Sequence, residues 1–162
     1  MTFSKFAKAA VLSAALIGGA GSAYAADEFN VVPGLSAAGA PLALHGYDPV
    51  AYFTKGKPTR GSDKLVHIHE GVAYRFSSDA HLAQFKKNPD KYTPQYGGFC
   101  AYGVSVGKKF DGDPQLWKID GGKLYLNLNE DINETFLKDV GGNIKKANGK
   151  WNHIEHTAVS DL

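Results

Sequence analysis

Lys64-Leu65-Val66-His67-Ile68-His69-Glu70-Gly71-Val72-Ala73-Tyr74-Arg75-Phe76 decides the fold class. Two runs rich in β-branched and aromatic residues flank Glu70-Gly71, a pair suited to a tight turn, so the stretch forms a β-hairpin. The period of two puts Val66 and Ile68 on one face and His67 and His69 on the other. With the apolar face inward, the two imidazoles are expected in solvent. There the His-x-His spacing binds Cu(II) or Zn(II) adventitiously, not as a built site.

Working outward, Ser78 is placed to cap a helix from about Asp79 to Lys87, with Leu82 and Phe85 on its core side and Asn88-Pro89 ending it. Upstream, Asp48 and Pro49 open a short helix: the carboxylate caps, and proline at the first helical position loses no needed N–H. Gly56 to Asp63 is a polar loop. A second hairpin joins Leu116–Ile119 to Lys123–Asn127 across Asp120-Gly121-Gly122. Asn129 then caps a helix from Glu130 to Val140, which Gly141-Gly142 are expected to stop. A last amphipathic piece carries Ile144, Trp151 and Ile154. Hairpins followed by helices, without a βαβ rhythm, give a small single α+β domain.

The first residues have the pattern of an export signal. Lys5 and Lys8 precede the apolar run Ala9–Ala20, and Ala23-Tyr24-Ala25 is an A-x-A cleavage pattern. The apolar run falls short of the roughly 20 residues a membrane span needs, and no later segment qualifies. The expected organisation is a signal over 1–25, an extended lead-in over 26–44, a domain over 45–155 and a tail over 156–162, in the periplasm or secreted. Lys5 and Lys8 are the only charged residues up to Ala25, so cleavage takes the net charge from +2 to zero. That balance argues against nucleic acid or an anionic membrane surface as partner.

Asp48-Pro49-Val50, Tyr74-Arg75-Phe76-Ser77-Ser78, Phe85 and Asn88-Pro89-Asp90-Lys91-Tyr92 resemble the YHS domain. Gly46–Phe53, Tyr96-Gly97-Gly98-Phe99-Cys100-Ala101-Tyr102-Gly103 and Gly122–Asn127 resemble an exported branch of that family, the YHS domain-containing (seleno)proteins. With them the resemblance covers most of the chain after Ala25. It implies a YHS-like fold and a link to metals, since YHS domains occur in copper-transporting ATPases. The common form carries one cysteine after D-P-V and two in a pattern like F-C-S-x-x-C. Those positions are Ala51, Ser77 and His81 here, so a metal site must be rebuilt from other residues.

Cys100 is the only cysteine. An exported chain with one thiol closes no internal disulfide, so Cys100 is a metal ligand, a reactive thiol, a half-partner for another molecule, or a small buried apolar residue. A helix starting at Phe99 would put it in the first turn, where free N–H groups favour the thiolate. Whether 99–106 is helix or strand stays open. Selenium in the resembling branch implies a reactive atom at this position. His81 shares part of the core-facing stripe with Phe85 and is either aimed at Cys100 or a satisfied core histidine. His45, just before the Tyr47-Asp48-Pro49 motif, is a second nitrogen donor or a surface loop residue. Asp48 is cap, ligand or orienting group, and Tyr52, Tyr96 and Tyr102 are candidates for a pocket around Cys100.

Together with the family resemblance, Cys100, His81 and His45 form a mixed sulfur–nitrogen set suited to Cu(I) or Zn(II), with copper the first candidate. The leading expectation is a metal-binding protein rather than an enzyme. The alternatives are a thiol-redox protein whose Cys100 meets a partner thiol, and a non-catalytic interaction module. There is no G-x-S-x-G, P-loop, C-x-x-C or H-E-x-x-H.

Overall fold

A computed structural model describes residues 27–162; the expected export signal lies outside them. Among the described residues, no helix is long and apolar enough to cross a membrane. In chain order the elements are β1 (Val31–Leu35), β2 (Pro41–Ala43), α1 (Pro49–Thr54), β3 (Ser62–His69), β4 (Val72–Phe76), α2 (Asp79–Lys87), α3 (Ala101–Ser105), β5 (Asp113–Asp120), β6 (Lys123–Asn127), α4 (Glu130–Lys138) and α5 (Val140–Ile154). The four-stranded sheet runs β1-β2-β4-β3, and β5-β6 form a separate pair. The architecture is α+β.

Both hairpins form where the sequence places them. Glu70 and Gly71 take φ of 50° and 81°, the paired left-handed conformation of a two-residue hairpin turn. In β3–β4, His69 lies opposite Val72 and His67 opposite Tyr74. The face assignment of β3 is reversed, however. His67 and His69 stand edge-on to Phe85 at 6.1 and 5.9 Å between ring centroids, while Ile68 is 47 % exposed. Leu65 shares the histidine face and packs into the core with Phe85. Burial accordingly lowers the His67 pKa, with Lys86 and His69 adding to the effect.

The lead-in runs as two short strands. β1 pairs antiparallel with β2, and β2 pairs parallel with β4, so this segment completes the first sheet. Ala43 and Leu44, at its end, are both 2 % exposed. The second correction concerns Gly141-Gly142, which start α5 instead of stopping α4. The break falls at Asp139 (φ −150°, ψ 71°), whose Oδ1 accepts from the Gly142 N–H at 2.9 Å. A Cβ on Gly142 would run into that carboxylate. A larger residue at 142 would thus displace the carboxylate that caps this helix.

One apolar cluster, around Val50, Tyr74, Phe76 and Phe85, lies between the first sheet and helices α1 and α2. A second, around Phe99, Val104, Tyr125, Phe136 and Ala147, fills the other half. Leu44, Tyr52, Leu124 and Leu126 join the two. The Tyr52 hydroxyl crosses the junction to donate to the Pro114 carbonyl at 3.0 Å.

Lys109 ties the two ends of the described chain together. It is 2 % exposed, and its ammonium donates to the carbonyls of Asp27, Glu155 and Thr157 at 2.6, 2.8 and 2.7 Å. The same nitrogen lies 5.4 and 5.5 Å from the ring centroids of Phe99 and Trp151. Three donors, three acceptors and two aromatic faces make burial of this charge tolerable. His156 also serves this tie: its Nδ1 lies 2.7 Å from Glu28 Oε1. The expected tail is thus anchored at its start.

Candidate functional site

The polar centre of the first half is Asp48. It is fully buried, held at the N-cap of α1, where its Oδ1 accepts from the N–H groups of Val50 and Ala51 at 2.9 and 3.3 Å. Pro49 fixes the entry of the helix, as the sequence indicates. The other oxygen, Oδ2, accepts from the Ser77 N–H at 2.8 Å and the Ser77 hydroxyl at 2.6 Å. His81 Nδ1 donates to the same oxygen at 2.6 Å.

This geometry places the other members. Strand β4 ends at Phe76, and the next residue, Ser77, turns its N–H and hydroxyl to the carboxylate. Ser78 caps α2 by accepting from the His81 N–H at 3.2 Å, which sets His81 on the first turn facing Asp48. The far nitrogen, Nε2, lies 3.1 Å from the Thr54 hydroxyl on exposed Thr54 at the end of α1. That hydroxyl is also 3.0 Å from the Val50 carbonyl. With Nδ1 donating to Asp48, the neutral ring accepts the Thr54 proton at Nε2. An imidazolium would instead donate there and leave Thr54 to bond Val50. Lys55 reaches the edge of the cluster, its ammonium 3.2 Å from the Ser77 hydroxyl.

Ala51, Ser77 and His81 all meet Asp48. Ser77 and Thr54 were not singled out in the sequence as partners of His81. Ser77 was visible only as the position of a missing cysteine. Thr54 carried no signal at all, because its role depends on how α1 packs on α2.

Cys100 lies in the other half. It is fully buried and precedes α3, so the open 99–106 segment resolves as a bend followed by a five-residue helix over Ala101–Ser105. Its sulfur accepts from the Gly103 N–H at 3.3 Å and donates its proton to Asn127 Oδ1 at 3.7 Å. Asn127 is itself fully buried; its Oδ1 also accepts from the Tyr102 N–H, and its amide donates to Asn133 Oδ1 at 3.0 Å. Burial pushes the Cys100 pKa up, and backbone N–H groups of Gly103, Leu128 and Tyr102 only partly offset it. The helix-start effect expected to favour the thiolate is present, but desolvation outweighs it.

His45 sits in the turn before α1, the surface-loop alternative of its two expectations. Its Nε2 lies 2.8 Å from Asp111 Oδ1 on the surface, and Asp48 pairs with His81 instead. Cys100, His81 and His45 therefore have three separate sets of partners and share none. Among the described residues, no group of three or more His, Cys, Asp and Glu side chains is placed to hold a metal ion. The tyrosines are likewise dispersed. Tyr52 bonds Pro114, and Tyr96 donates to Asn148 Oδ1 at 2.8 Å. Tyr102 contributes its backbone N–H to the Asn127 amide beside Cys100. Burial raises the Tyr52 and Tyr96 pKa values beyond the usual phenol range.

No family model, no curated protein and no solved structure matches this chain.

Proposed function

We propose that this chain is an exported binding module of the YHS type that performs no covalent chemistry of its own. One observation carries the reading: Ala51, Ser77 and His81 converge on the Asp48 carboxylate, and every polar group there is satisfied by another group of the chain. A point that carries thiols in the resembling family is here a hydrogen-bonded lock between α1, β4 and α2. Burial of Cys100 supports the same reading, because a thiol sealed against Asn127 with a raised pKa is a poor nucleophile.

A second reading keeps a transition metal at this point. It is favoured by the carboxylate oxygen of Asp48 and the imidazole of His81 standing 2.6 Å apart, with the hydroxyls of Ser77 and Thr54 beside them. Such oxygen and nitrogen donors suit Zn(II) or Cu(II) better than Cu(I), so copper bound through Cys100 is the less favoured form.

One titration separates the readings: Cu(I) under anaerobic conditions, then Zn(II), each against a competing chelator, with Cys100→Ser and His81→Ala in parallel. The module reading expects no binding that either substitution abolishes. Tight one-to-one binding lost with Cys100→Ser restores the thiolate copper site, and loss with His81→Ala alone establishes the metal at Asp48–His81. Either result overturns the proposal.

A further inference from the structure

A cavity of about 460 Å³ opens where the tips of both hairpins meet the N-terminal segment and the end of α5. Its lining includes Glu28, Glu70 and Glu155 and the aromatic residues Phe29, Tyr96 and Trp151, with Lys123 the one lysine or arginine among the lining residues. We infer that this cavity binds a small organic cation, an amine or quaternary ammonium group, between its aromatic and carboxylate walls. The inference rests on the module reading and supplies its ligand class.

Charge and shape agree. Three glutamates outnumber Lys123 in the lining and Lys109 buried beneath Trp151, and this excess of negative charge repels anions and attracts cations. Aromatic faces add attraction for a diffuse organic cation, which a strongly hydrated inorganic ion gains less from. Two of the glutamates have imidazole neighbours. Glu28 Oε1 is 2.7 Å from His156 Nδ1, and Glu70 Oε2 is 3.8 Å from His69 Nε2. The buried Lys109 ammonium adds to this, since it interacts electrostatically with both Glu155 and Glu28, although among the described residues the Glu155 carboxylate makes no direct ion pair.

The molecule already pairs an ammonium with the same aromatic wall. Lys109 holds its charge beneath Trp151 and Phe99 against three carbonyls, one of them that of Glu155. A ligand cation in the cavity would meet the same tryptophan and the same glutamate, this time through its side chain.

The walls are also fixed in place. Tyr96 has φ 56° and ψ 40°, a left-handed conformation that a bulky residue adopts only under constraint. Its hydroxyl is held by Asn148 at 2.8 Å. Next to it, Gly97 (φ 60°) lies so close to the Glu28 carbonyl that no Cβ fits, and its own carbonyl accepts from the Asn30 N–H at 2.9 Å. The segment that carries Glu28 and Phe29 is thereby pressed against the Tyr96 wall before any ligand arrives, which lowers the ordering cost of binding.

Trp151 supplies the readout. Trp117 is the only other tryptophan, so Trp117→Phe leaves Trp151 as sole emitter. This protein is titrated with choline, with putrescine and with the neutral carbon isostere of choline, and calorimetry is run in parallel. Saturable binding of an ammonium probe, absent for the isostere and weakened by added salt, is expected. Glu70→Gln with Glu155→Gln, checked for native circular dichroism, should weaken it by on the order of tenfold. No saturable response to either ammonium probe at about 10 mM, a range that already covers weak sites, overturns the inference. So does an equal response to the isostere, or unchanged affinity in the double variant. Failure here leaves the module reading standing, because that reading fails only in the metal titration.

Discussion

Replacing Asp48 with alanine tests the lock at its centre. The carboxylate is fully buried and accepts from Val50, Ala51 and Ser77 N–H groups, the Ser77 hydroxyl and His81 Nδ1. Loss of an N-cap costs about 1 kcal/mol. A buried donor left without an acceptor costs about 1–3 kcal/mol, and breaking a buried charge-assisted pair about 3–5 kcal/mol. These contributions overlap, because the Ser77 hydroxyl can rotate and His81 can shift its proton to Nε2. The Ser77 N–H has no such escape. The net expectation for Asp48→Ala is therefore about 4 kcal/mol of lost stability, a large share of the 5–15 kcal/mol typical of a domain.

Asp48→Asn should cost less, about 2 kcal/mol, the lower part of the range for a broken buried network. Its oxygen can keep the cap while its amide meets the Ser77 N–H unfavourably. Urea unfolding at neutral pH, followed by circular dichroism and fluorescence, measures both. With a slope of about 2 kcal/mol per molar, the alanine midpoint falls by about 2 M. An Asp48→Ala protein within about 1 kcal/mol of the parent would refute the argument, since it would mean the donors around Oδ2 find water or other partners at no cost.

Two further predictions concern the second half of the molecule. Lys109→Met removes the ammonium that joins the carbonyls of Asp27, Glu155 and Thr157; it should lower stability by about 3 kcal/mol and expose both ends to proteolysis ahead of the core. Equal protease resistance in parent and variant would show that the ends are held without it. Cys100 should resist alkylation in the folded protein and react rapidly in denaturant. Its folded pKa is raised, so the unfolded chain loses this proton first. The stability it confers is complete below the unfolded thiol pKa and is lost as pH rises through the folded one. Stability should thus fall as pH climbs past the ordinary thiol value of 9.0, and less steeply in Cys100→Ala; matching slopes would contradict the burial argument.

Local patterns in the chain were enough for several of the elements. The two hairpins, the caps at Asp48, Ser78 and Asn129, and the ends of α2 each depend on residues within a few positions of one another, so sequence alone locates them. The face of β3 was not legible, because Leu65, His67 and His69 alternate against Val66 and Ile68 with apolar residues on both sides. Only the packing of Phe85 decides which side is inner. Gly141-Gly142 misled for a similar reason: glycine suits a helix end, but here the Gly142 N–H is taken by the Asp139 cap at a helix start.

The candidate site divides along the same line. Sequence marked Asp48, His81 and Cys100 as the residues with chemistry to offer, and identified Asp48 as a cap on local grounds. Which of them meet depends on contacts across long stretches of chain. Asp48 finds His81 because α1 and α2 pack on the same side of the first sheet. A parallel bridge from Cys100 to Leu126 of β6 sets its sulfur beside Asn127, in the other half. The net charge of the chain also concealed the negative cavity, since a sum over residues says nothing of where Glu28, Glu70 and Glu155 are brought together. Residue types and short-range spacing determine which local structures form; burial and distance, which set a thiol's pKa or a carboxylate's partner, exist only once the halves have packed.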